Sequence, residues 1–221
     1  MVQDYVTKAA LYVVPLLLGV VFHEVAHGWV AEKRGDPTAR LLGRITLNPF
    51  VHIDLIGTVI LPVVLIVTGA PFLFGWAKPV PVNFDNLRGG RRDMALVAIA
   101  GPLTNLFLAV VSAMVYHLVL HSLRAGWIPP EGGLVRIVEP VFLMARISVT
   151  FNLVLMVINL LPIPPLDGGR VAVGLLPRGL SAGLGRLENL GMLIVLVLIM
   201  TGAWGYIVNP VLSLLLKLFL K

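Results

Sequence analysis

AALYVVPLLLGVVFHEVAHGWVA, residues 9–31, is an apolar run with two histidines and one glutamate near its end. A helix needs about 20 apolar residues to cross roughly 30 Å of hydrocarbon, so this run is long enough to span a membrane. Within it, HEVAH at 23–27 fits the pattern H-E-x-x-H. On a helix, residues four apart share a face, so His23 and His27 can hold one metal ion together. Glu24 lies beside them and can take a proton from a water that a zinc ion has made acidic. Two histidines and a carboxylate inside a span are expensive to keep without a purpose.

The rest of the chain agrees with a membrane setting. Of 221 residues, 58% are hydrophobic and 13% charged, with a mean hydropathy of +0.95. Soluble domains are typically about half apolar and a quarter charged. The apolar segments are about 9–31, 55–74, 94–121, 138–161, 189–203 and 205–220. They predict an all-α polytopic membrane protein with five or six transmembrane helices. It reads as a single domain over 1–221, with a catalytic core at about 9–170 and a C-terminal helical pair at about 188–221. The net charge is +6; in this setting Lys and Arg set topology, and no nucleic-acid partner is implied. The chain has no cysteine, which leaves His, Asp and Glu as its strong metal ligands. Lys8 followed by an apolar run resembles a signal peptide, but no small-x-small cleavage site follows, so the run reads as a retained span.

Loop charge gives an orientation. Lys33, Arg34, Arg40 and Arg44 lie in the 32–54 loop; Lys78, Arg88, Arg91 and Arg92 lie in 75–93; Arg170, Arg178 and Arg186 lie in 170–187. All three loops belong in the cytoplasm by the positive-inside rule, and 122–137 belongs outside. The first two loops flank one apolar segment, which a full crossing would not allow. That segment contains Gly57, Pro62, Gly69 and Pro71, which favour breaks in a helix. It is therefore read as re-entrant over 55–74, and an ordinary kinked helix is the other reading. Arg146, within 138–161, reads as snorkelling outward.

A zinc hydrolase needs a third protein ligand. His117 and His121, on the far half of 94–121, read as interfacial, and Asp85 and Asp93 as solvated loop charges. Asp167 is the strongest candidate. It lies in NLLPIPPLDGGR, 159–170, where Pro162, Pro164 and Pro165 must unwind the chain. With 55–74 re-entrant, Asp167 and HEVAH reach the same end of the membrane.

HEVAH on one span, GPLTN on a later one and N-x-x-P-x-P-P-L-D-G on another resemble the site-2 protease family of intramembrane metalloproteases, from about 9 to 170. The resemblance implies one zinc held by His23, His27 and Asp167, with Glu24 as catalytic base. It implies a three-helix core of 9–31, 94–121 and 138–161. It implies substrates that are transmembrane segments of other proteins in the lipid bilayer, and a multi-pass protein of the cell membrane with its active site toward the cytoplasm. No PDZ or CBS domain is evident, as in compact members. His52 of NPFVHID is a rival third ligand. Asn105 and Asn159 are candidate donors to the developing oxyanion, or else ordinary helix–helix hydrogen bonders; Gly101 and Pro102 read as close-packing residues. Residues 41–48 or 75–83 are candidates for pairing with an extended substrate. The rival functions are a zinc-binding transporter, which would not require Glu24, and a proteolytically silent homologue that binds membrane proteins.

Overall fold

The computed structural model describes residues 2–69, 75–129 and 132–221. Its first helix, α1 (Val2–Arg34), contains the HEVAH run. A short α2 (Thr38–Leu41) opens the loop that follows. A π-helical stretch, Leu55–Ile60, continues as α3 (Leu61–Val67). Then come α4 (Arg91–Arg124), α5 (Gly133–Asn159), α6 (Asp167–Leu175), α7 (Arg178–Arg186), α8 (Glu188–Met200) and α9 (Ala203–Leu220). No strand occurs among the described residues. The protein is an all-α polytopic membrane fold.

Among the described residues, four helices are long and apolar enough to cross a membrane: Ala10–Arg34, Arg91–Arg124, Gly133–Asn159 and Ala203–Leu220. This revises the expectation of five or six. The apolar segment 189–203 forms α8, whose 13 residues reach about 20 Å at 1.5 Å per residue, short of a full crossing. The segment 55–74 also departs from a span. Its helical part runs only from Leu55 to Val67, and 70–74 lie outside the described residues.

The two ends of that segment meet. The Trp76 N–H donates to Gly57 O at 3.1 Å, and the Lys78 N–H donates to His52 O at 2.9 Å. The Thr58 hydroxyl donates to Trp76 O at 2.8 Å. Gly57 permits this approach, because a Cβ there would lie 2.3 Å from the Trp76 ring. A crossing would separate the ends by about 30 Å. The described ends of the segment therefore lie side by side, which agrees with the re-entrant reading of the loop charges.

α1, α4 and α5 pack pairwise into a three-helix core, with α6 against α4 and α9 against α5. Ala109, Val149, Leu153, Met156, Val157 and Val208 form the buried apolar cluster that joins α4, α5 and α9. The Arg88 N–H donates to Arg34 O at 3.0 Å, so the end of α1 lies at the start of α4 and the two helices run antiparallel.

The prolines after Asn159 end α5, and glycines turn the chain back. A Cβ on Gly168 would lie 2.2 Å from Leu160 O, and one on Gly169 would lie 2.2 Å from Pro164 N. Only glycine fits so tight a reversal. α6 then settles on α4 at Gly174, where a Cβ would meet that of Ala95 at 2.7 Å. Arg91 holds the far end of α6 by donating to Val173 O at 3.2 Å and to Leu176 O. Asp167, the first residue of α6, is thereby returned to the three-helix core.

Candidate metal centre

His27 and His23 lie about 10 and 16 Å from the Arg34 end of α1, at 1.5 Å per residue. Their Nε2 atoms are 3.0 Å apart. Asp167 Oδ2 lies 3.1 Å from His23 Nε2 and 3.3 Å from His27 Nε2. All three residues are buried. They form the cluster of three potential ligands found among the described residues.

The cluster fits a zinc ion. Tetrahedral zinc with bonds of about 2.0–2.1 Å places its ligand atoms about 3.3 Å apart, close to the edges of this triangle. Asp167 Oδ2 is buried and accepts no hydrogen bond, and such a group calls for a partner. The donor set is two imidazole nitrogens and one carboxylate oxygen, a familiar zinc combination.

The outer nitrogens of both rings are also held. His27 Nδ1 lies 2.8 Å from Val97 O. A carbonyl only accepts, so Nδ1 carries the hydrogen and Nε2 keeps its lone pair. His23 Nδ1 lies 2.6 Å from Asn105 Oδ1. Gly101 of α4 faces the rings directly: a Cβ there would sit 2.5 Å from His27 Nε2 and 2.6 Å from His23 Nε2. The expected close packing at Gly101 is packing against the ligands themselves.

A cavity of ≈ 660 Å³ opens beside the cluster, lined by His23, Glu24, His27, Asn159 and Asp167 among apolar walls that include Trp76 and Val80. The Glu24 carboxylate stands at this cavity with Oε2 accepting the Val80 N–H at 2.7 Å. The two asparagines part company. Asn159 lines the cavity and donates to Leu155 O at 3.0 Å in its own helix. Asn105 is fully buried, and its amide donates to Gly19 O at 3.1 Å and to Asn152 Oδ1 at 2.9 Å. That leaves Asn105 no amide hydrogen for a substrate.

The other candidates lie elsewhere. His52 is buried, with Nε2 2.9 Å from Thr46 O, and it is absent from the ligand cluster. His117 Nε2 lies 2.9 Å from Phe219 O, and His121 packs edge-on against Trp127. Asp85 and Arg146 are exposed. Asp93 departs from its reading as a solvated charge: it is buried, accepts the Gly89 N–H at 2.7 Å and pairs with Arg34 at 3.6 Å. Residues 75–83 form neither helix nor strand, and the N–H groups of Trp76, Lys78 and Val80 are engaged with Gly57, His52 and Glu24. Pro79 and Pro81 have no N–H, so the other edge is poor in donors.

Three further residues carry weight that the sequence reading did not assign. Val80 holds Glu24. Asp36 joins two loops through bonds from Thr38, Asn83 and Asn86. Asn152 braces Asn105. Only Asn152 left a signal: Ser148, Asn152 and Asn159 recur at helical spacing and mark one polar stripe on an apolar helix.

Comparison with known proteins gives consistent relatives. "Putative zinc metalloprotease YwhC" of Bacillus subtilis is 38% identical over 212 residues, covering 94% of this chain and 90% of the relative. "Putative zinc metalloprotease Rip2" of Mycolicibacterium smegmatis is 32% identical over 202 residues, covering 90% of this chain and 70% of the relative. The protein of that name from Mycobacterium tuberculosis is 31% identical over 153 residues, 69% of this chain and 52% of the relative. No family model matches the chain, and no solved structure matches it.

Proposed function

The chain belongs to the site-2 protease family of zinc metalloproteases, and on that premise we propose that it is a zinc-dependent endopeptidase cutting transmembrane segments of other proteins within or near the bilayer. The observation that carries this reading is the convergence of His23, His27 and Asp167 at the wall of the cavity that Glu24 also faces. These three residues would hold one zinc per chain. Zinc in such a site supplies Lewis-acid polarisation of the scissile carbonyl and acidifies water.

The protein's own groups do the rest. Glu24 is the general base: one oxygen is anchored by the Val80 N–H, which leaves the other to take a proton and return it to the leaving amine. Asn159 lines the cavity, which supports a role for its remaining amide hydrogen as donor to a developing oxyanion. Asn105 acts through His23 rather than on substrate. The mostly apolar wall suits a hydrophobic peptide, and the loops at the shared ends of α1 and α4 are the route for water. The basic loops support a reading in which this end faces the cytoplasm and the protein lies in the cell membrane.

The test is the Glu24→Gln variant. It is expected to keep its zinc, measured by metal analysis, and to lose cleavage, read as membrane-protein fragments that vanish from the proteome relative to wild type. Wild-type fragments in the variant would defeat the mechanism.

A further inference from the structure

A chain of hydrogen bonds, buried at its start and part-buried at its far end, leads away from the metal cluster through all three core helices. His23 Nδ1 faces Asn105 Oδ1 at 2.6 Å. The Asn105 amide donates to Gly19 O of α1 at 3.1 Å and to Asn152 Oδ1 of α5 at 2.9 Å. The Asn152 amide in turn donates to Ser148 O at 2.9 Å and to Ser148 Oγ at 3.2 Å. Ser112 Oγ of α4 donates to Ser148 Oγ at 2.8 Å. Asn105 and Asn152 are 0% and 1% exposed, so no water can substitute for the buried bonds that Asn105 makes.

The chain has one polarity, and its ends set it. Gly19 O and Ser148 O are backbone carbonyls, which only accept. Each therefore requires an N–H from the amide that faces it. The Asn152 amide is directed at Ser148, which turns Asn152 Oδ1 toward Asn105. The Asn105 amide then meets two acceptors, Gly19 O and Asn152 Oδ1, which turns Asn105 Oδ1 toward His23. An acceptor at 2.6 Å demands that His23 Nδ1 carry the hydrogen. Turning the Asn105 amide over would set its oxygen against two other oxygens at about 3 Å in a low-dielectric interior, where unmatched polar contacts are costly. Gly19 makes room for this arrangement, since a Cβ there would crowd Asn152 Oδ1 at 3.1 Å.

We propose that Asn152 is a positioning residue: acting through Asn105, it fixes the hydrogen on Nδ1 of His23 and turns the Nε2 lone pair into the metal centre. The proposal rests on the metal reading above. His27 has a backbone carbonyl for this purpose, which no side-chain substitution removes. His23 depends on a side-chain relay, and is therefore the ligand whose tautomer substitutions in that relay can release.

Zinc affinity of the purified full-length protein, measured by competition with a chelator, reads the effect without any substrate. Loss of an outer-shell partner typically costs 10–100-fold in metal affinity. Asn105→Ala is expected to fall in that range and Asn152→Ala to lose several-fold. The double variant is expected to bind zinc no worse than Asn105→Ala, because Asn152 has no other path to His23. Asn152→Asp is expected to restore affinity to about the wild-type level: a buried neutral carboxyl still accepts from Asn105 and donates an O–H to Ser148. Nitrogen-15 spectra of the histidine-labelled, zinc-loaded wild type are expected to show His23 protonated at Nδ1, a result that needs no variant to fold. A His23 protonated at Nε2, wild-type affinity in Asn152→Ala, or losses that multiply in the double variant would overturn the relay. Wild type that binds no zinc would defeat the metal reading, and the relay with it.

Discussion

Gly101 is a glycine in the interior of a long helix, where alanine would favour helix by about 0.5–1 kcal/mol. The local gain argues for replacement, and the site argues against it. A Cβ at 2.5–2.6 Å from the Nε2 atoms of both histidines lies far inside contact distance and occupies the side on which the rings converge. Gly101→Ala is therefore expected to express and keep its helix while losing most of its bound zinc, by metal analysis against wild type. Full zinc content would show that the rings have room to retreat. The histidines were legible in the sequence because HEVAH has its own spacing. The reason for Gly101 was not, because it exists only where α4 crosses α1.

At the scale of elements, two loops must stay together for Glu24 to be held. Asp36, 0% exposed, follows α1 and binds the Asn83 N–H at 2.7 Å and the Asn86 amide at 2.9 Å. It thereby anchors the loop whose Val80 reaches Glu24. Burial pushes the Asp36 carboxyl up, but the bonds from Thr38, Asn86 and Asn83 outweigh burial and hold it below the usual range. A carboxyl depressed in the folded protein stabilises it above the unfolded pKa, about 3.9, and that contribution is lost as pH falls through the folded value. The protection of 76–86 against hydrogen exchange, taken relative to each amide's intrinsic rate, should accordingly hold at neutral pH and fall below about pH 4. Asp36→Asn should show the faster exchange already at neutral pH, since bonds to a charged acceptor contribute about 1.5–3 kcal/mol. Exchange in Asp36→Asn that matches wild type would remove the clamp. Nothing in the sequence marked Asp36. A loop aspartate beside glycine and proline reads as a solvated turn, and its partners lie some 50 positions away. The turn at 159–170 was legible because proline and glycine act on the chain locally.

For the whole molecule, the decisive feature is how many times the chain crosses. Hydrophobic runs counted alone gave six segments, because a run records composition and not the length of helix it forms. Charge in the loops carried further information on 55–74: the positive-inside rule puts Arg40 and Arg88 on one side, and the stretch between them is then expected to return. The bonds from Trp76 and Lys78 to Gly57 and His52 agree with that expectation. Nothing comparable in sequence announced that α8 would stop at 13 residues. The topology can be read directly because the chain has no cysteine, so each introduced thiol reports alone. Arg40, Arg88 and Arg124 are exposed. Arg40 does pair with Glu32 at 2.8 Å, but an exposed pair of this kind contributes little to stability, so its loss leaves the fold intact. Arg40→Cys and Arg88→Cys are expected to react with a membrane-impermeant maleimide from the same face, and Arg124→Cys, at the far end of α4, from the other. If positions 40 and 88 label from opposite faces, the segment between them crosses. Asp167 could then meet His23 and His27 only if another segment failed to span.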